Sequence, residues 1–151
     1  MALRNIFLQN EPSLRKICKD VTSFDIMLGQ LFDDMHETLA LACGVGLAGN
    51  QIGILRNICI LHDGSTRLEF VNPKIIRMEG EAIDTESCLS CPGEYGKVKR
   101  PQMVEVAAFD RNGKPFSLVL KDLDARIICH ETDHLQGRLF KDIAFDLQKV
   151  S

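Results

Sequence analysis

The chain has 151 residues, 45% hydrophobic and 26% charged, with a formal net charge of −3. A soluble globular chain of this size buries roughly 70% of its unfolded surface and needs no disulfide staples. The acidic balance argues against a phosphate-neutralising nucleic-acid surface, and no run approaches the ~20 apolar residues of a membrane span.

The N-terminal stretch "MALRNIFLQNEPSLRK" lacks the apolar core and small-residue cleavage site of a secretory signal. No repeat or linker follows, so one domain over residues 1–151 in the cytoplasm is expected. Residues 24–42 predict a helix. Met27, Leu31, Met35 and Leu39 recur every four residues, and Ile26, Phe32 and Ala42 widen the stripe. Thr22 with Asp25 resembles a capping box, and Gly44 stands where a C′ glycine ends a helix. "CGVGLAGNQIG" (43–53) follows, with four glycines. It has neither a preceding strand nor a following helix, and no Gly-Lys-Ser/Thr, so it is a poor nucleotide loop. Two readings stay open: a tight connection, or a close backbone approach to a ligand with the Gln51 amide aimed at a developing oxyanion.

"NICIL" (57–61) and "LEFVNPKII" (68–76) predict short strands. "ESCLSCPGEYG" (86–96) holds a C-x-x-C pair, Cys88 and Cys91. A zinc ribbon needs a second such pair, and Pro92-Gly93 suggests a turn rather than the helix N-terminus of a redox dithiol. "MVEVAAFD" (103–110) and "KPFSLVL" (114–120) predict a hairpin, with Asn112-Gly113 supplying the positive φ. Asp122 or Asp124 then opens a second helix, which runs to Gly137. Helix, strands and helix in that order predict an α+β fold, with antiparallel sheet around the C-terminal helix. The six cysteines (Cys18, Cys43, Cys59, Cys88, Cys91 and Cys129) are expected as reduced thiols, most of them in the core.

The second helix carries the chemistry. His130 and His134, four residues apart, lie one turn apart on one face, where their imidazoles can converge on a metal ion. Glu131 can reach water at the ion without ligating it and can carry its proton. Asp133 is expected to orient an imidazole or to pin the helix. A third ligand is required. After Gly137 the acids are Asp142 and Asp146, and no histidine follows, so the ligand is expected upstream. One cysteine of the C-x-x-C pair would complete a Cys-His-His site with one position open, and spacing does not choose between Cys88 and Cys91. Two rivals are a metallopeptidase that cuts internal bonds and a noncatalytic zinc-stabilised module, which needs a fourth protein ligand.

Three ordered segments resemble the peptide deformylases. The family's Gly-x-Gly-Leu-Ala-Ala-x-Gln reads here Gly44-Val45-Gly46-Leu47-Ala48-Gly49-Asn50-Gln51. Its Glu-Gly-Cys-Leu-Ser reads Glu86-Ser87-Cys88-Leu89-Ser90, and its His-Glu-x-Asp-His-Leu reads His130-Glu131-Thr132-Asp133-His134-Leu135. The resemblance implies Cys88, His130 and His134 as metal ligands, Glu131 as proton carrier, and Gln51 with the Leu89 backbone N–H as oxyanion donors. It implies one ion per chain, commonly Fe2+, with Zn2+ or another divalent metal possible. The substrates it implies are N-formylmethionyl peptides of nascent chains, met near the ribosome by a monomer that binds neither nucleic acid nor membrane. Gly44, Val45, Gly46 and Ile127 are the candidate substrate contacts, the glycines crowding out acyl groups larger than formyl. Cys91 and Cys129 are expected to pack. Ser87 stands where the family has Gly, and costs roughly 1 kcal/mol if that position needs a positive φ. The short C-terminus leaves little room for the long helix found in many bacterial members.

Overall fold

The computed structural model describes residues 2–150. The first helix, α1 (Ile26–Ala42), starts later than its hydrophobic stripe suggests. Asp25, not Thr22, is its cap: the Asp25 carboxylate accepts from the Leu28 N–H at 3.0 Å. Cys43, not Gly44, takes the left-handed conformation that ends it, at φ 56°. The buried face is consequently Leu28, Leu31, Phe32, Met35 and Leu39, while Ile26 and Met27 face solvent.

Eight strands follow among the described residues: β1 (Gly46–Ala48), β2 (Ile58–His62), β3 (Arg67–Glu79), β4 (Ala82–Ser87), β5 (Glu94–Arg100), β6 (Met103–Phe109), β7 (Pro115–Lys121) and, near the C-terminus, β8 (Phe145–Lys149). They form two antiparallel sheets, β1-β2-β3-β6-β7 and β4-β5-β8. The second long helix, α2 (Asp122–Leu135), precedes β8. The glycine-rich stretch is thus more than a connection, since β1 and a 3-10 turn, Gly49–Ile52, lie within it.

Strand period explains why "ICIL" is buried throughout. Alternate side chains point to opposite faces, and a helix covers each face. Ile58 and Ile60 pack with Leu28, Phe32, Met35 and Leu39 of α1, whereas Cys59 and Leu61 pack with Ala125, Ile128 and Cys129 of α2. Leu47 and Ala48 of β1 divide in the same way. The expected α+β arrangement around the C-terminal helix is present, with α1 closing the opposite face.

β3 runs past the predicted end at residue 76 and shifts register between Val71 and Lys74. Pro73 has no N–H for the ladder, and Asn72 adopts φ 52°, its side chain bonding Val21 N and O at 2.8 and 3.0 Å. The hairpin forms as predicted, although only Gly113 (φ 86°) takes the positive φ. The Asp110 carboxylate organises the turn by accepting from Asn112 N and Lys114 N.

Buried and part-buried polar groups tie α1 to the sheet. Glu69 on β3 accepts from Arg111 Nε at 2.6 Å and pairs with His36 Nε2 at 2.9 Å. Burial works against the Glu69 charge, but the hydrogen bonds from Arg111 and His36 outweigh it and hold the carboxyl down at about 2. Its folded pKa therefore lies below the unfolded value, and the native state binds fewer protons. The stabilisation is complete above the ordinary value of 4.5 and is lost as pH falls through about 2. Urea midpoints are expected to fall across that window, and Glu69→Gln is expected to flatten the slope there. An unchanged slope would remove Glu69 as its source.

Candidate metal centre

The C-terminal end of α2 is anchored from outside the helix. Its last carbonyls accept from other segments: Leu135 O from Cys18 N at 2.9 Å, and His134 O, besides Gly137 N, from the Asn50 side-chain amide. This fixes the turn that carries the histidines. His130 Nε2 and His134 Nε2 lie 3.1 Å apart, and Cys88 Sγ, just past the end of β4, lies 3.3 Å from His134 Nε2. The candidate donor atoms of the three residues all lie within 4.8 Å of one another.

This donor set fits a divalent ion. The two imidazole nitrogens face each other beside a thiol, and His130 Nδ1 bonds outward to Glu86 Oε1 at 2.9 Å, leaving Nε2 to face the centre. Burial pushes the His134 pKa well down, so its ring is neutral and can donate a lone pair. A thiolate with two imidazoles would make three protein ligands and leave one position open, as in catalytic sites. No fourth donor joins them among the described residues. Cys91 is buried among Val98, Leu139 and Phe140, and Asp142 pairs with Arg15 at 2.6 Å. Asp146 lies on exposed β8. The structural-zinc reading loses its basis, and a peptidase ligand downstream of the helix is likewise missing.

The carboxylate that orients His130 is Glu86, not Asp133. Asp133 acts one step away, bonding Arg100 Nη1 at 2.6 Å and Arg138 Nη2 at 3.1 Å. Glu86 is held by Arg100 at 2.9 and 3.0 Å and by Arg126 at 2.7 Å. Burial again opposes its charge, but hydrogen bonds from His130 and Arg100 prevail and hold the carboxyl down at about 2. Arg126 escaped the sequence reading although it stands one turn before His130 on the same helix face, a signal that was available. Glu86 and Arg100 meet α2 only through β4–β5 pairing, which local sequence does not reveal.

Glu131 is 3% exposed, and its Oε1 has no hydrogen-bond partner among the described residues. Burial raises its carboxyl to about 7. Opposite it stands Gly46. A Cβ there would collide with Glu131 Oε2 and lie 2.9 Å from both Glu131 Cδ and Ile127 Cγ2. Gly46→Ala is therefore expected to displace the Glu131 carboxylate and lower kcat/KM by about 10²-fold, a cost typical of an ångström-scale misplacement. Full activity in this variant would show that the contact is not required. A Cβ on Gly44 would meet Leu39 Cδ1 and Leu89 Cδ1, both at 2.7 Å, so packing explains that glycine too.

Gln51 lies on the 3-10 turn after β1. Its Oε1 accepts from Ala48 N at 2.9 Å, which turns its NH2 toward Ser90 Oγ at 3.1 Å and Cys88 Sγ at 3.6 Å. The Leu89 N–H donates to no group among the described residues. Ser87 ends β4 opposite Tyr95 without a positive φ, so the expected cost of replacing glycine does not arise. A cavity of about 390 Å³ opens onto these groups, and Gly44, Val45, Gly46, Gln51, Leu89 and Ile127 line it. Leu123, half exposed at the mouth, was not anticipated. Cys129 packs in the core, as expected.

Comparison with known proteins accords with this geometry. The polypeptide deformylase family model matches residues 3–150. A peptide deformylase of Caldanaerobacter subterraneus subsp. tengcongensis is 49% identical over 142 residues, spanning 94% of this chain and 89% of that protein. The Thermotoga maritima peptide deformylase crystal structure superposes with TM-score 0.94 at 31% identity, covering 96% of this chain and 99% of that one. The Legionella pneumophila enzyme superposes with TM-score 0.92 at 40% identity, covering 96% and 88%.

Proposed function

This chain belongs to the polypeptide deformylase family and removes the N-formyl group from N-formylmethionyl nascent peptides; we propose that Cys88, His130 and His134 hold its metal ion while Glu131 carries the proton. The observation behind this assignment is the convergence of those three donors beside a buried, unpartnered Glu131 carboxylate. A divalent ion held by Cys88, His130 and His134 would supply Lewis acidity and a more acidic water.

The protein's own groups do the rest. Glu131 accepts a proton from the attacking water and returns it to the departing amine, releasing formate and a free N-terminus. The Gln51 NH2, locked by Ala48 and Ser90, and the Leu89 N–H stabilise the oxyanion. Without a Cβ on Gly46, Glu131 and Ile127 approach its backbone closely, and this crowding is the basis for admitting formyl and rejecting larger acyl groups. Val45 and Ile127 line the apolar side of the cavity for the methionine side chain.

The working ion in this reading is iron(II), although thiolate and imidazole donors suit zinc as well. The protein acts as a monomer on chains emerging from the ribosome, in the cytoplasm. Among the described residues, no helix is long and apolar enough to cross a membrane. The test is to strip the protein with chelator, reload it anaerobically with iron(II) or zinc, and offer formyl-Met, acetyl-Met and internally cleavable peptides. Formate is expected from the first alone, faster with iron. Absence of formate with either ion, or release of internal fragments, would overturn the reading.

A further inference from the structure

We propose that Cys88 and Cys91 form a paired oxidation site, which a hydroperoxide converts to an intramolecular disulfide when the metal ion is absent. Only the consequence for catalysis rests on Cys88 being a metal ligand. The pairing itself rests on the turn and the cavity.

Cys91 N donates to Cys88 O at 3.0 Å, closing a four-residue turn over Leu89 and Ser90. Such a turn brings its end Cα atoms within about 7 Å, overlapping the 4.4–6.8 Å range of disulfides. Both cysteines also line the cavity that opens onto the metal centre. They differ in access: Cys88 is partly exposed, whereas Cys91 is fully buried behind it. Cys43, exposed at the end of α1, also lines the cavity but lies outside the Cys88–Cys91 turn, whereas Cys18, Cys59 and Cys129 are buried in the sheet–helix core and do not line it. The proposed mechanism gives Cys91 no role, and a buried thiol facing an oxidisable ligand is placed to act as a resolving cysteine.

The chemistry balances with the hydroperoxide as sole oxidant. Cys88 Sγ attacks a peroxide oxygen as the O–O bond breaks, and its thiol proton passes to the departing oxygen, so that an alcohol or water leaves and a sulfenic acid stands on Cys88. The Cys91 sulfur then attacks Cys88 Sγ, the S–O bond breaks, and the oxygen departs as water with the Cys91 proton. In sum, two thiols lose two electrons and two protons, and the peroxide takes them up. The disulfide removes one of three ligands in a form that a thiol reductant restores. Without Cys91, the sulfenic acid would advance to sulfinic and sulfonic acids, which thiol reductants do not reverse.

The experiment treats chelator-stripped, full-length protein with hydrogen peroxide, alkylates the remaining thiols and maps the Cys88–Cys91 segment by mass spectrometry. The expected product resists alkylation at both cysteines, is lighter by two hydrogens, and regains both thiols with dithiothreitol. Cys91→Ser is expected to accumulate sulfinic or sulfonic acid at Cys88 under the same treatment. Wild-type protein with over-oxidised Cys88 and a freely alkylated Cys91 would overturn the proposal. A parallel arm uses protein loaded with redox-inert zinc. Slower Cys88 oxidation there supports its role as ligand. A disulfide forming equally fast with zinc would refute the ligand assignment while leaving the pairing intact.

Discussion

Glu131→Gln is expected to lower turnover of formyl-Met peptides by about 10²–10⁴-fold, the range for loss of a positioned proton carrier. Its ion content is expected to stay at one per chain, because the carboxylate lies outside the donor group of Cys88, His130 and His134. Thermal stability is expected to hold or to rise. Glu131 is 3% exposed with an unpartnered oxygen, so the native fold maintains a poorly solvated carboxylate that the amide replaces with a neutral group. Turnover within tenfold of wild type would remove Glu131 from the mechanism. Loss of the ion together with activity would instead make it a ligand. Calorimetry, metal analysis and formate release on one preparation separate these outcomes.

The second large effect is expected at Glu86. Its carboxylate sits between Arg100 and Arg126 with His130 on the remaining side, and its side chain is 4% exposed. Glu86→Gln leaves the Arg126 guanidinium without a carboxylate partner, while Arg100 keeps only Asp133, a loss of about 3–5 kcal/mol by analogy with broken buried ion pairs. For a chain of this size that is a fall in Tm on the order of 10 °C. The same change removes the charged acceptor that orients His130, so metal affinity is expected to drop about 10–100-fold in the variant that remains folded. Adding Arg126→Met is expected to recover part of the stability, by removing one stranded charge, but not the metal affinity. If the double variant regained both, the Glu86–His130 bond would be ruled out as the cause of the affinity loss. A melting temperature unchanged in Glu86→Gln would show that solvent compensates the guanidinium groups.

The thiol pair and the Glu131 site illustrate a shared economy of the fold. Residues 86–91 hold the carboxylate bonded to His130, the sulfur proposed as a ligand, the oxyanion donor proposed at Leu89, the Ser90 hydroxyl bonded to Gln51, and the second thiol. In the proposed reading, one strand end and one turn bear on metal affinity, catalysis and sensitivity to peroxide together. Variants in this segment are expected to change these properties jointly, so metal content is the measurement to make before a rate is interpreted.

Local chemistry in the sequence determined a good deal. Four-residue spacing put His130 and His134 on one helix face, because an α-helix repeats every 3.6 residues. Two strand-like runs flanking Asn112-Gly113 specified the β6–β7 hairpin, and the order of elements indicated α+β. The three motifs, through their family resemblance, named Cys88 over Cys91. Tertiary structure alone decided the remainder. Antiparallel pairing of β4 with β5 sets Arg100 beside Glu86, and packing of that sheet against α2 brings Glu86 to His130, 44 residues away in sequence. Asp133, nearer in sequence, is occupied by Arg100 and Arg138. The α1 face differs only at its start, for a related reason: Leu31, Phe32, Met35 and Leu39 are buried as the stripe predicts, but the Asp25 cap and the position of the sheet leave Ile26 and Met27 in solvent and bury Leu28. Periodicity reports which residues share a face. Which partner that face meets depends on contacts between residues far apart in the chain, and no local window contains them.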